Sequence, residues 1–154
     1  MSATAELEAL LFEVGGRTFG VRSGDVLELL RSVSIRPLPS APSAVEGVVN
    51  VRGQVVPVID IRARFGLPSK PLSVTDHFLL VQAGHRRVIL RVDRAVEVKT
   101  VSLKATGEVA PELHHVAGVC PVAGDLIVIY DLPRFLSGPE SVALEAALSA
   151  SPAK

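Results

Sequence analysis

Apolar residues in this chain gather in short runs of Val, Ile and Leu broken by glycine, a spacing of roughly 8 to 12 residues that marks successive strands. Leu10 to Val14 and Thr18 to Arg22 flank Gly15-Gly16, a dipeptide that accepts the positive φ angles of a tight hairpin. Val48 to Arg52 and Val55 to Ile61 flank Gly53-Gln54, where glycine in the first turn position predicts a type II′ turn. Phe78 to Ala83 and Arg86 to Val92 flank Gly84-His85, and Gly118 to Val122 and Leu126 to Tyr130 flank Ala123-Gly124-Asp125. Four hairpins are predicted. The segments Val26 to Leu30 and Ala95 to Val101 each supply a further strand.

The pattern occurs twice. Gly47 to Ile61 aligns without a gap to Gly118 to Leu132, with five identities, and Leu10 to Leu29 aligns to Leu79 to Val98 with six in 20. Ordinary residue usage gives about one or two such matches by chance, so the chain reads as an internal duplication. Each half supplies five short strands, and closing them into a small barrel removes the exposed edges that short strands otherwise leave. A barrel of roughly 60 residues is marginal alone; the halves are therefore expected to share a buried interface, with a groove between them. The predicted fold is mainly β, with subdomain 1 at about residues 8–66, a connection at 67–76 and subdomain 2 at about 77–136.

Short helical turns are expected at Arg62 to Phe65 and at Pro133 to Leu136, with Asp60 and Asp131 as repeated caps. Residues 137–154 read as a tail, partly helical: Pro139 suits a first helical position, and Leu144 and Leu148 share one face. Val48, Val51, Val119 and Val122 occupy repeated strand positions and are expected to be buried.

Composition narrows the function. Lys plus Arg and Asp plus Glu are equal at 16 each, so no net field draws in nucleic acid or an anionic membrane. Five Phe, one Tyr and no Trp do not make the basic and aromatic stripe of a nucleic-acid-binding barrel. No apolar run approaches the roughly 20 residues of a membrane span, the start of the sequence lacks the pattern of a secretory signal, and Cys120 is the sole cysteine. These features predict a cytoplasmic protein.

Enzymatic candidates are thin. Adjacent His114 and His115 in a strand point to opposite faces and do not jointly grip a metal. Cys120 sits mid-strand, where a small thiol packs as an apolar group. Asp60 and Asp131 hold equivalent places in two barrels, which argues for one structural duty performed twice. No glycine loop opens a helix after a strand to cradle phosphate. No catalytic residue, metal or cofactor is predicted, and protein partners remain.

If both halves share a scaffold, function lies where they differ. Asn50, Arg52, Gln54 and Pro57 stand against Pro121, Ala123, Asp125 and Val128. Asn50 and Arg52 are two residues apart beside a tight turn at Gly53, and together present a polar edge. Glu28, between Val26 and Leu29, is a candidate bidentate partner for Arg52; the plainer alternative is a surface ion pair that contributes little.

The run Gly47-Val-Val-Asn-Val-Arg-Gly-Gln-Val-Val-Pro-Val-Ile-Asp-Ile-Arg62 resembles the signature of CheW-like domains, and Val26 to Leu29, Val92-Asp93 and Gly118 to Leu132 resemble that family's other landmarks in order. The resemblance spans about Leu10 to Leu136. It implies two five-stranded SH3-like barrels and a non-enzymatic scaffold. A chemoreceptor's cytoplasmic tip would dock in the groove, and the regulatory domain of a CheA-type histidine kinase, and other CheW-like proteins, would meet the barrel ends. Receptor-contact positions carry over as Val26, Glu28, Leu29 and Arg52, with Asn50 and Gly53 shaping the turn. With no receiver-like or kinase-like segment after Leu136, the chain reads as a stand-alone adaptor recruited to receptor arrays. Ile89, where the family often has glycine, and Arg91 depart from the pattern, and Lys99 to Ala117 is short. The short segment implies weaker kinase coupling, or else only a trimmed surface turn. The alternatives are a receptor-binding accessory with weak or no kinase binding and, from another class, a ligand-binding barrel or enzyme using the groove.

Overall fold

The computed structural model describes residues 4–64, 66–104, 116–122, 125–130 and 138–150. All four predicted hairpins form: β1 (Thr4–Val14) with β2 (Arg17–Arg22), β4 (Val45–Val51) with β5 (Gln54–Ile59), β6 (His77–Ala83) with β7 (Arg86–Val92), and β9 (Val116–Val122) with β10 (Asp125–Tyr130). The extra strands are β3 (Val26–Arg31) and β8 (Arg94–Lys104). The second hairpin turns at Arg52-Gly53, with φ +48° and +88°. That is the type I′ pattern, positive φ at both central residues, rather than the type II′ turn expected at Gly53-Gln54.

The sheets are not assembled from contiguous halves. One is a closed barrel in the order β1-β2-β10-β9-β8, the other a five-stranded sheet in the order β3-β6-β7-β5-β4. Each takes its first hairpin from one repeat and three strands from the other, so subdomains at residues 8–66 and 77–136 do not correspond to the two sheets. The exchange obeys the repeat closely. The parallel contact Ile129↔Gly20 in the barrel matches Val58↔Ile89 in the second sheet. β8 closes the barrel onto β9 at Lys104↔Val119, while the chain beyond β3 meets β4 through the single bridge Arg36↔Val48.

Exchange leaves β1, β2, β6 and β7 two apolar faces to fill, and three cores result. Ala9, Leu11, Val101, Ile127 and Ile129 fill the barrel; Val49, Val56, Val58, Phe78, Leu80 and Ile89 fill the second sheet's concave face. The largest lies between the sheets and takes Phe12, Phe19 and Val21 from one and Val48, Leu79, Val81, Leu90 and Val92 from the other. The shared interface expected from size is this middle layer. The departure at Ile89 is a size exchange across the repeat. A Cβ on Gly20 would stand 2.7 Å from Ile129, whereas Ile89 is fully buried opposite the smaller Val58. Val48 and Val119 are buried as expected; Val51 is only half-buried at the margin of its core, because it adjoins the turn, and the Val122 side chain lies outside the described residues.

Asp60 caps α1 (Ile61–Arg64), its Oδ1 accepting the Ala63 N–H at 3.2 Å. Asp131 and Pro133 to Leu136 lie outside the described residues. α2 (Gly138–Ala150) docks on the shared core through Leu144 and Ala147, with Glu145 paired to Arg86.

Gly47 lets the second sheet close. Its ideal Cβ would fall 2.3 Å from the Arg36 carbonyl oxygen, beside the bonds Arg36 N–H to Val48 O (2.9 Å) and Val48 N–H to Arg36 O (2.8 Å). Gly47→Ala forces these backbones apart. It should cost about 2 to 3 kcal/mol, as overpacking does, read as a lowered urea midpoint at an unchanged slope.

Candidate partner-binding site

The singular Asn50-Val-Arg-Gly53 turn forms one constellation with Glu28. Arg52 is a non-glycine residue in the left-handed region, a conformation that crowds Cβ against the carbonyl and needs support. Two contacts supply it. Asn50 Oδ1 accepts the Gly53 N–H at 2.8 Å, closing the turn from within. Arg52 Nη1 and Nη2 donate to the two carboxylate oxygens of Glu28 at 2.8 and 2.6 Å, a bidentate pair. The hydrogen bond from Arg52 holds the Glu28 carboxyl below its ordinary range. The guanidinium is 70% exposed, so the pair orients a charge at the surface more than it stabilises the fold.

The apolar part of the site depends on an irregularity. Pairing with β6 runs Val26↔Val81, then Glu28↔Leu80 and Leu29↔Leu79, leaving Leu27 as the extra residue of a β-bulge. Paired residues share a face. Val26 and Leu29, three residues apart, thus both face the side of Val81 and Leu79, which belong to the shared core, while Glu28 and Leu30 face the other. Val26 is half-buried against that core, and Leu29 is 51% exposed. The same bulge recurs in the other repeat, where Val96 is the extra residue between Leu11↔Glu97 and Phe12↔Ala95. Val98, paired with Leu10, is the counterpart of Leu29 and is 56% exposed. Val26 on one sheet and Leu10 on the other are thus half-buried against the shared core, with exposed Leu29 three residues along from Val26 and exposed Val98 paired beside Leu10. Val98 and Leu27 were not among the sequence candidates, although the repeat alignment sets Leu29 against Val98 and Leu27 against Val96. Beside the turn, a concavity of about 540 Å³ is lined by Val33, Val48, Val49, Asn50 and Val55, among others.

The chain has relatives among known proteins. The CheW-like domain matches residues 8–142 of the chain. The chain belongs to that family. It is 32% identical over 130 residues to the chemotaxis protein CheW of Rhizobium meliloti, covering 81% of this chain and 84% of that protein. It is 30% identical over 143 residues to a probable chemotaxis protein CheW of Rhizobium etli, covering 88% and 91%. The crystal structure of scaffolding protein TtCheW from Thermoanaerobacter tengcongensis superposes with a TM-score of 0.77 at 26% identity, over 88% of this chain and 96% of that one.

In this CheW-like domain, polar contacts tie the sheets to the connecting segments. Asp93 accepts the Gly15 N–H at 2.8 Å and two bonds from Arg62 Nη2 at 2.9 Å, with Lys70 Nζ at 3.8 Å. One carboxylate thereby joins the β1–β2 turn, α1 and the connection after it. Burial opposes the charged form, but the Gly15 amide, Arg62 and Lys70 outweigh it and hold the Asp93 carboxyl below its usual range. Arg91, the second departure, is buried. It donates to Glu46 at 2.9 Å, to Asp76 at 3.4 Å and to the Lys70 carbonyl at 2.9 Å, while burial, only partly offset by Arg91, raises Glu46. The connection at 67–76 is therefore pinned to β7.

Among the described residues no group of three His, Cys, Asp or Glu could hold a metal, and no helix is long and apolar enough to cross a membrane. His114, His115, the Cys120 side chain and most of the Lys99 to Ala117 segment lie outside the described residues.

A carboxyl whose folded pKa is depressed contributes stability that is complete above its unfolded value, about 3.9 for Asp, and is lost as pH falls through the folded value. Asp93→Asn should therefore be less stable than the parent at neutral pH, and the difference should shrink in acid. Urea melts at pH 7 and pH 3 measure it; a difference independent of pH would remove the charge from the account.

Proposed function

We propose that this chain is a non-enzymatic adaptor of a chemosensory array, receiving a chemoreceptor's helical tip in the inter-sheet groove and contacting a CheA-type histidine kinase through its barrel ends. The supporting observation is the strained Arg52. A non-glycine left-handed residue, held by Asn50 and Glu28 with its guanidinium exposed, points to a function for that charge, since such conformations persist where structure holds them for use. On the same strand as Glu28 but on its other face, Val26 and Leu29 offer apolar surface, with Leu10 and Val98 as their repeat counterparts on the second sheet. A helical tip needs both: a trough for its hydrophobic face and a charge to set its register. The kinase contact rests on family membership and on the name of TtCheW as a scaffolding protein.

Arg52 separates binding from folding. In Arg52→Gly, relief of left-handed strain offsets loss of an exposed ion pair, so the melting temperature should barely move. Receptor-tip affinity should nonetheless fall by about tenfold, the size expected for a central contact, and Arg52→Glu should fall further. Arg17→Glu, on the exposed β2 end, serves as the charge control; Arg86 does not, being tied to Glu145. Equal losses at Arg17 and Arg52 in a titration would mean that net charge, not this site, drives association. A parallel titration against the kinase regulatory domain tests the other half. Receptor binding without kinase binding would select the accessory reading.

A further inference from the structure

Both repeats present a free strand edge at the same place, but only one is occupied. At β3 the β4–β5 turn lays Arg52 against Glu28. At β8 the repeat puts Glu97 in the place of Glu28 and Ala123 in the place of Arg52, and alanine has no charge to offer. Among the described residues, β8 meets β9 only at Lys104↔Val119. The edge of Val96 to Thr100 that faces away from β1 thus has no strand partner among the described residues, and Val96, Glu97, Val98, Lys99 and Thr100 are all exposed. Such an edge is a template for another strand, commonly blocked by a charged residue. Here the two charges cancel that block for one partner. The stretch Val96-Glu-Val-Lys-Thr100 is self-complementary when run antiparallel to itself.

We propose that β8 pairs antiparallel with β8 of a second copy of this chain, about a twofold axis at Val98. In this register Glu97 lies opposite Lys99 of the second copy and Lys99 opposite its Glu97. Val98 meets Val98, and Val96 meets Thr100, β-branched pairs that suit cross-strand packing. Parallel pairing would set Glu97 on Glu97 and is disfavoured. The interface is isologous, as a closed dimer requires, and it uses main-chain groups at the strand edge while the groove-side face of Val98 stays open. The proposal is independent of the receptor reading. A five-residue edge buries less than the roughly 800 Å² per partner of a stable complex, so the dimer is weak, with a Kd on the order of 10⁻⁴ M.

Charge reversal tests it. Glu97→Lys and Lys99→Glu each put like charges at both symmetric positions and should raise the dimer Kd by about tenfold in sedimentation equilibrium. The double variant Glu97→Lys/Lys99→Glu restores opposite pairs and should return the parent value; failure of that rescue, or a parent that stays monomeric into the millimolar range, overturns the proposal. Disulfide trapping gives a second readout in a Cys120→Ser background. Val98→Cys should cross-link to itself, whereas Val96→Cys alone should not, its copies being offset by about 13 Å along the strands, until mixed with Thr100→Cys. Equal trapping at Val96 and Val98 would mean random collision and would also overturn it.

Discussion

The apolar layer between the two sheets is the constraint on which the rest of this structure depends. Each barrel is too small to stand on its own interior, and the exchange of hairpins gives β1, β2, β6 and β7 a second apolar face that only the other sheet can cover. Phe12, Phe19 and Val21 meet Val81, Leu90 and Val92 there, and α2 seals part of the layer with Leu144 and Ala147. The layer ends where β3 and β8 leave Leu29 and Val98 half-covered.

Polar contacts decide the geometry that burial leaves loose. Hydrophobic packing is non-directional, so it does not fix how far one sheet slides over the other. Asp93 does this by engaging Gly15, Arg62 and Lys70 together, and Arg91 anchors the connection to β7 through Asp76, Glu46 and the Lys70 carbonyl. Asp76 and Arg91 are both buried, so removing Arg91 leaves Asp76 only Lys70 as a cation, and removing Asp76 leaves Arg91 only Glu46 as a carboxylate, in a low dielectric.

The repeat makes the asymmetries meaningful. Gly20 and Ile89 solve one packing problem with opposite distributions of volume. Glu28 and Glu97 occupy equivalent edges, one answered within the chain by Arg52 and the other matched in the sequence repeat to an alanine, Ala123, in place of that arginine. Function in a duplicated scaffold concentrates where such equivalence fails, since the common positions serve the shared fold. The strain at Arg52 belongs to this class: the turn needs two left-handed residues, and an arginine occupies the first of them only with Asn50 and Glu28 around it.

The sequence by itself determined what local physics controls. Glycine-marked turns and runs of β-branched residues placed all ten strands, the duplication foretold two sheets, and Asp60 announced the α1 cap. Glu28 and Arg52 were legible as a pair because they are charge-complementary and differ from their repeat equivalents. What only the tertiary structure decided involves pairing between distant segments. Alternation has the same period whichever strand lies alongside, so nothing local states that β1 and β2 close with β8, β9 and β10 instead of β3, β4 and β5. The same holds for the groove. A strict period of two would separate Val26 from Leu29, and only the bulge at Leu27, set by the pairing with β6, returns them to one face.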